Sequence, residues 1–197
     1  MKMLIGLTGR TGSGKTSAAK IFEKSGAFVV DCDSVAHDIL KDAAVKEKIV
    51  AQFSESILDS NNNIDRKALG AIVFSDDKKL SLLNKIVHGA IVDTAIDLCE
   101  KSENDICVID GSELETSGAD KKCAHIVVIT ADEETRLKRI TLRDKIDRDS
   151  ALLRMRAQKD YSKDAILIDN SMGQDALESE ITKLYNKFLG EINAQIR

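Results

Sequence analysis

The eight residues from Gly9 to Thr16, which read Gly-Arg-Thr-Gly-Ser-Gly-Lys-Thr, constrain the fold of this chain more than any other segment. They match the pattern G-x-x-x-x-G-K-[ST] of a phosphate-binding loop. The apolar run from Met3 to Leu7 precedes them and a helical pattern follows, so the segment has the strand-loop-helix context that the motif requires. The sequence therefore predicts an α/β protein that binds a nucleoside triphosphate.

The residue types of this phosphate loop suit the binding of phosphate groups. Its glycines permit backbone torsions and close approaches that a Cβ atom would forbid, so that successive N–H groups can turn toward phosphate oxygens. Lys15 supplies a positive charge for the β- and γ-phosphates, and the hydroxyl of Thr16 can ligate Mg²⁺. The predicted nucleotide-binding residues of the loop are Thr11, Gly12, Ser13, Gly14, Lys15, Thr16 and Ser17.

Composition and charge narrow the class of protein. A chain of 197 residues is long enough for one domain with a substantial core. The net charge of -4 argues against a nucleic-acid partner, which usually requires a basic face. No apolar run reaches the length of a membrane span, and the amino terminus shows no secretory cleavage pattern. We therefore expect a cytoplasmic protein without nucleic-acid or membrane partners, and the sequence leaves its oligomeric state open.

Strand-like and helix-like segments alternate along the chain. Five short apolar runs predict strands: Met3 to Leu7, Ala27 to Val30, Ile106 to Ile109, Ile126 to Ile129 and Ala165 to Ile168. Each run is continuous, as expected of strands buried on both faces. Apolar residues at helical spacing predict helices over Lys15 to Lys24, Glu133 to Arg143 and Gln174 to Leu189. The order predicts an α/β fold with a five-stranded parallel doubly wound sheet.

The longest gap between predicted strands contains only helical signals. It runs from Ser34 to Glu103 and is too long for a simple crossover. We interpret it as a helical insertion over the carboxyl ends of the strands, where open α/β sheets bind their ligands.

Two carboxylates stand at the end of the second predicted strand. Asp31 and Asp33 are alternate residues, so in an extended strand they point to the same side. One of them could orient an acceptor hydroxyl and take its proton, while the other holds Mg²⁺-bound water or positions its neighbour. The alternative is a turn at the end of the strand with a helix cap at Asp33 or Ser34.

Several segments together resemble one family of nucleotide-dependent kinases. The segments are the Ile-Gly-Leu-Thr-Gly run, the phosphate loop, Val29 to Asp33, Ile64 to Phe74, and Leu83 to His88. In these segments the chain is similar to the dephospho-CoA kinases, over nearly its whole length. The resemblance implies an enzyme that uses ATP and Mg²⁺ to phosphorylate the ribose 3′-hydroxyl of dephospho-CoA. The products are CoA and ADP, in the last step of CoA biosynthesis.

The resemblance also implies roles for particular residues. Asp33 is the acceptor-side base, and Arg66 and His88 contact the acceptor. Asp31 joins Thr16 as a metal ligand. Arg139 lies in a helix and lid whose arginines close over the phosphates, so that the implied catalytic residues are Asp33, Lys15 and Arg139. Asn170 begins the adenine loop; Asp110 could bind water near Mg²⁺ or cap the turn at Gly111.

The implied organisation is a single P-loop kinase domain over residues 1–197. Its core comprises residues 1–33, 104–137 and 163–197, the helical acceptor-binding insertion comprises 34–103, and a short lid comprises 138–162. Two of these residues also have non-functional interpretations. Arg139 could be part of a solvated helix face, and His88 could be a structural histidine at a helix turn. For the neighbouring Arg136, a solvated helix face is the favoured interpretation.

The chain departs from the family pattern in the acceptor region. Gly111 to Leu114 replaces the common Ile-Pro-Leu-Leu, Glu115-Thr116 replaces Phe-Glu, and the segment from Ala157 to Ser162 reaches the last strand by a shorter path. These differences leave two alternatives open. One is a related P-loop kinase that acts on another small-molecule or nucleotide acceptor, and the other is a non-catalytic nucleotide-binding regulatory module.

Overall fold

The computed structural model describes residues 2–158 and 160–195 and contains one five-stranded sheet. The strands are β1 (Met3–Gly9), β2 (Phe28–Asp31), β3 (Ile106–Asp110), β4 (His125–Thr130) and β5 (Ile166–Asp169). Their order across the sheet is β2-β3-β1-β4-β5, and β1 pairs in parallel with β3 and β4, as β4 does with β5. The predicted α/β fold with a five-stranded parallel sheet is confirmed.

Helices connect the strands and fill the long gap between β2 and β3. They are α1 (Lys15–Ser25), α2 (Cys32–Asp38), α3 (Ala43–Phe53), α4 (Arg66–Val73), α5 (Asp77–Lys101), α6 (Leu114–Ser117), α7 (Glu133–Asp144), α8 (Arg148–Arg156) and α9 (Gln174–Gln195). None of the helices in the described part of the chain combines the length and apolar character needed to cross a membrane.

The chain divides into two compact units. The first comprises residues 1–30 and 99–197 and contains the sheet and the phosphate loop. The second comprises residues 31–98 and has its own apolar core, built around Ile49, Phe53 and Leu69. The predicted lid range of the first unit contains the end of α7 and all of α8, and Lys159 within that range lies outside the described residues.

The core of the first unit forms between the sheet and two helices. Phe22 of α1 and Phe188 of α9 are fully buried against strand residues such as Leu7 and Val127. Helix α1 ends at Gly26, whose φ of 110° is left-handed and whose N–H donates to the carbonyl of Glu23. Glycine is the residue that adopts this conformation without strain, so the chain can turn directly into β2.

The expectation that all strands are buried on both faces is wrong for the two edge strands. In β5, Ile168 is buried, whereas Leu167 is 69% exposed and Asp169 is also exposed. Alternate residues of a strand point to opposite faces, so only one face of β5 contributes to the core. Similarly, only Val30 is buried in β2. The apolar runs predicted the strands correctly but not their positions in the sheet.

Candidate active site

The phosphate loop connects β1 to α1 and has the backbone geometry that its glycines allow. Gly12 and Gly14 have φ values of 79° and 97°, in the left-handed region. A Cβ atom at Gly14 would overlap Nδ2 of Asn170, and one at Gly9 would lie 2.6 Å from the carbonyl oxygen of Ile129. Both positions therefore require glycine for the neighbouring chain to approach this closely.

Lys15 and Asp110 form an ion pair beside the loop. Asp110 is the last residue of β3, which pairs with β1 in parallel and in register at Leu7. Its side chain is 8% exposed, and its Oδ1 accepts a hydrogen bond from Nζ of Lys15, whose side chain is 16% exposed. The structure therefore places a buried carboxylate next to the lysine that is predicted to contact the nucleotide phosphates.

Arg139 and Asn170 both hold the carbonyl side of the loop. The Arg139 guanidinium donates to the carbonyl oxygens of Gly12 (3.3 Å), Ser13 (3.2 Å) and Asn170 (2.9 Å). The side-chain amide of Asn170 donates to the carbonyl of Ser13 at 2.7 Å. Two residues that are far apart in the sequence thus meet at the predicted nucleotide site. Arg139 is half-buried, which does not fit the alternative of a solvated helix face.

Three residues at the loop were missed or misjudged from the sequence. Arg136 is 8% exposed and its Nε donates to the carbonyl of Thr11 at 3.0 Å, so its interpretation as a solvated residue is wrong. Arg10 donates to the carbonyls of Met155 (2.7 Å) and Gln158 (3.0 Å). Gln158 accepts from the N–H of Thr11 at 2.6 Å. Only the position of Arg10 within the motif could have signalled its role, because its partners lie far along the chain, in the last turn of α8 and just after it.

The predicted placement of Asp31 and Asp33 on one strand is wrong. Strand β2 ends at Asp31, and α2 begins at Cys32, so Asp33 lies in the first turn of a helix. Asp31 is the N-cap of α2, and its Oδ1 accepts from the N–H of Asp33 at 3.0 Å. An aspartate side chain readily satisfies the free N–H groups of a helix start. Both side chains are exposed.

The two predicted acceptor residues, Arg66 and His88, lie in the second unit with Asp33. Arg66 is the first residue of α4 and is exposed, and its guanidinium donates to the carbonyl of His37 at 3.3 Å. His88 lies within α5 and is half-buried.

The segments that depart from the family pattern contact each other. Oε2 and Oε1 of Glu115 accept hydrogen bonds from the N–H (3.1 Å) and hydroxyl (2.5 Å) of Ser162. These bonds lower the pKa of Glu115, because they favour the charged carboxylate. Both residues line a cavity of about 930 Å³ that also reaches Gly9 and Ser13. The altered acceptor region thus borders the phosphate loop.

The described residues offer no preformed metal cage. Within residues 2–158 and 160–195, no three or more His, Cys, Asp or Glu side chains cluster as metal ligands. Mg²⁺ in phosphoryl-transfer sites is usually held by one or two protein oxygens together with substrate phosphates and water. Thr16 lies in the first turn of α1 with an exposed side chain, which fits that kind of site.

Comparison with known proteins decides the family. The family model described as Dephospho-CoA kinase matches residues 3–175. This chain belongs to the dephospho-CoA kinase family. The dephospho-CoA kinase of Fusobacterium nucleatum subsp. nucleatum is 37% identical over 185 residues, which cover 92% of this chain and 96% of that protein.

Solved structures agree with this membership. A dephospho-CoA kinase structure from Campylobacter jejuni is 26% identical, with a TM-score of 0.61, and the similarity covers 95% of this chain and 98% of that chain. A crystal structure from Thermus thermophilus has a TM-score of 0.73 at 24% identity, covering 94% of this chain and 97% of that chain. The second similarity shows the fold alone.

We predict that MgATP stabilises this dephospho-CoA kinase family member through Lys15. A ligand at about 100 times its dissociation constant adds about 2.7 kcal/mol to the free energy of unfolding. For a chain of this size, the melting temperature should rise by about 5 to 10 °C. The shift should disappear in Lys15→Met and persist in Lys24→Met, which changes an exposed lysine of the same helix. Differential scanning fluorimetry measures both, and an equal shift in Lys15→Met would contradict the site.

Proposed function

We propose that this chain transfers the γ-phosphoryl group of ATP to the ribose 3′-hydroxyl of dephospho-CoA, which gives CoA and ADP. The main support is one arrangement: the phosphate loop with Lys15, Asp110, Arg139 and Asn170 assembled around it. It occurs in a chain that matches the dephospho-CoA kinase family over residues 3–175.

The residues of the first unit act on the nucleotide. The N–H groups of the loop and the start of α1 bind phosphate oxygens, and the helix dipole adds a favourable potential. Lys15 leaves its ion pair with Asp110 and contacts the β- and γ-phosphates. Negative charge redistributes on these groups during transfer. Arg139 donates to the carbonyl oxygens of Gly12 and Ser13, and its planar guanidinium suits phosphoryl oxygens once it leaves these contacts. Asn170, where the adenine loop begins, holds the phosphate loop through its hydrogen bond to Ser13.

Asp33 is the residue that we assign to the acceptor hydroxyl. Its carboxylate is exposed and makes no hydrogen bond or ion pair to another described residue, while its N–H is bonded to Asp31. In a loose phosphoryl-transfer transition state, the acceptor keeps its proton until late, so a carboxylate aligns the hydroxyl and then receives the proton. Arg66 and His88 would hold other groups of the acceptor.

Mg²⁺ is assigned to Thr16 and Asp31. The Thr16 hydroxyl fits a ligand next to the β- and γ-phosphates, and Asp31 keeps a second carboxylate oxygen besides the one that caps α2. When bound, the ion would neutralise charge on the phosphates. Asp110 is the alternative outer ligand, because it lies beside Lys15 at the end of β3.

A related kinase with another acceptor is the second candidate. It is favoured by the polar segment from Ser112 to Thr116, which borders the cavity next to the loop. Structures of a gluconokinase and a shikimate kinase share the fold at 14% and 13% identity. Gluconate and shikimate are therefore suitable acceptors to compare with dephospho-CoA.

An acceptor panel separates the two candidates. We expect ADP release from MgATP to be fastest, by at least about tenfold in kcat/KM, with dephospho-CoA. The comparison acceptors are gluconate, shikimate and nucleoside monophosphates, because a site built to bond a given substrate rejects analogues that lack its groups. A coupled ADP assay measures the rates, with a reaction lacking acceptor as control. Preference for another acceptor would replace the proposed substrate, and no stimulation by any acceptor would favour the regulatory module.

The role of Asp33 predicts a specific loss of turnover. Asp33→Asn keeps the shape of the side chain but removes its charge and basicity, so we expect kcat to fall by about 10² to 10⁴. ATP affinity, measured by calorimetry, should stay unchanged. Asp38→Asn is the matched control, because Asp38 is an exposed aspartate at the other end of α2 whose ion pair with Lys41 contributes little. Retained turnover, or a loss of ATP affinity in proportion to activity, would exclude Asp33 as the acceptor-side base.

A further inference from the structure

Arg136 and Arg10 form a positively charged pair that the nucleotide contacts do not explain. Both side chains line the cavity of about 930 Å³ and a smaller one of about 140 Å³ beside α8. Nη2 of Arg136 and Nε of Arg10 are buried and have no hydrogen-bond partner. Because other atoms of these side chains hold the loop and the end of α8, these two donors remain available for a ligand.

The Arg136 guanidinium also makes no close ion pair in the described part of the chain. No carboxylate lies within 4.0 Å of its guanidinium among residues 2–158 and 160–195, although the residue is 8% exposed. Burial and the nearby positive charge of Arg10 lower the pKa of Arg136, but a guanidinium remains charged at neutral pH. Buried charges in folded proteins are normally paired. The arginine pair is therefore short of negative charge.

A third buried donor belongs to Ser13, which also lines this cavity. The hydroxyl of Ser13 is buried and has no hydrogen-bond partner, and the residue is 1% exposed. Three donor groups from the phosphate loop and α7 thus border one cavity. Guanidinium groups and hydroxyls are the donors that commonly bind phosphate oxygens.

We propose that Arg136, Arg10 and Ser13 form a second phosphate-binding site, on the cavity side of the loop, for a phosphate or diphosphate group of a small molecule. It is separate from the nucleotide site, which uses the backbone N–H groups of the loop. The cavity volume lies in the range of small-molecule sites. Val128 and the exposed Leu167 supply apolar surface for the organic part of the ligand.

The carboxylates that line this cavity already have partners in the protein. Glu115 accepts from Ser162, and Glu113 accepts from the hydroxyl of Thr116 at 2.6 Å. Asp160 lies 3.2 Å from Arg10, and its side chain is 75% exposed, so solvent weakens that ion pair. Asp160 and Glu133 attract the Arg136 guanidinium only from beyond ion-pair distance, so they compensate its charge in part.

The chemistry of the proposed acceptor identifies a candidate group. Dephospho-CoA carries a diphosphate between its adenosine and pantetheine parts, and the altered segment from Ser112 to Thr116 lines the same cavity. We assign the second site to this diphosphate, an assignment that rests on the proposed function. The site itself rests on the unpartnered donors, so a different phosphorylated molecule would satisfy the same chemistry.

The first experiment tests the site directly with inorganic pyrophosphate. Calorimetry is performed with the nucleotide site filled by Mg²⁺ and a non-hydrolysable ATP analogue. We expect wild-type protein to bind pyrophosphate, and Arg136→Gln and Arg10→Gln to bind it about 10- to 100-fold more weakly. Arg148→Gln is the matched control, because Arg148 is an exposed arginine of α8 that pairs with Glu134. If Arg136→Gln does not fold, Arg10→Gln decides by the same criterion.

Two results would overturn the second site. They are the absence of pyrophosphate binding by the nucleotide-loaded wild type, and unchanged binding by a folded Arg136→Gln variant. A merely structural role for Arg136 predicts a lower melting temperature with unchanged pyrophosphate affinity. The second site predicts weaker pyrophosphate binding whatever the melting temperature, because Nη2 of Arg136 has no partner in the described protein.

The second experiment identifies the source of the phosphate group. Kinetics compare dephospho-CoA with adenosine, which has the ribose hydroxyls but no diphosphate. If the acceptor diphosphate occupies the site, Arg136→Gln raises the KM for dephospho-CoA about 10- to 100-fold and changes that for adenosine little. Equal effects on both acceptors, with pyrophosphate binding lost, assign the site to another phosphorylated molecule. Pyrophosphate binding without any turnover of dephospho-CoA would refute the proposed function and leave the second site intact.

Discussion

The carbonyl oxygens of the phosphate loop impose the constraint on which the site depends. A loop that turns its N–H groups toward a phosphate must turn its carbonyl oxygens away, and buried carbonyls need donors. Here Arg136 donates to Thr11, Arg139 donates to Gly12 and Ser13, and Asn170 also donates to Ser13. The anion-binding side of the loop therefore requires a set of donors on its opposite side.

This requirement links the loop to distant parts of the first unit. The arginines come from α7, which follows β4, and Asn170 follows β5, so the loop after β1 is fixed by the two strands on one side of it. On the other side, Asp110 at the end of β3 pairs with Lys15. Parallel strands bring their carboxyl ends to one edge of the sheet, which is why residues separated by more than 100 positions meet there. A change in any of these partners should alter the loop before it alters the core.

Most of the fold and part of the site could be predicted from the sequence. Strands such as β3 are short apolar runs with clear ends. Helix α1 ends at Gly26, because glycine adopts the left-handed conformation of a helix C-cap without strain. Lys15 and Thr16 follow from a motif whose spacing is set by phosphate geometry. Such features depend on local sequence, and local sequence is visible without a structure.

The errors arose where a side chain's environment depends on distant residues. Arg136 looked like a solvated helix residue, but its helix packs against the loop, which buries it. Asp33 looked like a strand residue, but the side chain of Asp31 accepts a hydrogen bond from its N–H, and the chain begins a helix there. The exposed Leu167 gave no sign of its edge position, because an apolar run does not reveal the order of strands.

The central claim is that this phosphate loop serves transfer to one hydroxyl of dephospho-CoA. The most direct measurement is phosphorus NMR of the product formed from MgATP and dephospho-CoA, with mass spectrometry of the same sample. Transfer to the 3′-hydroxyl predicts a mass increase of one phosphoryl group and a new phosphate monoester coupled to the ribose 3′ proton. A product phosphorylated at another position, or unchanged dephospho-CoA with ATP consumed, would contradict it.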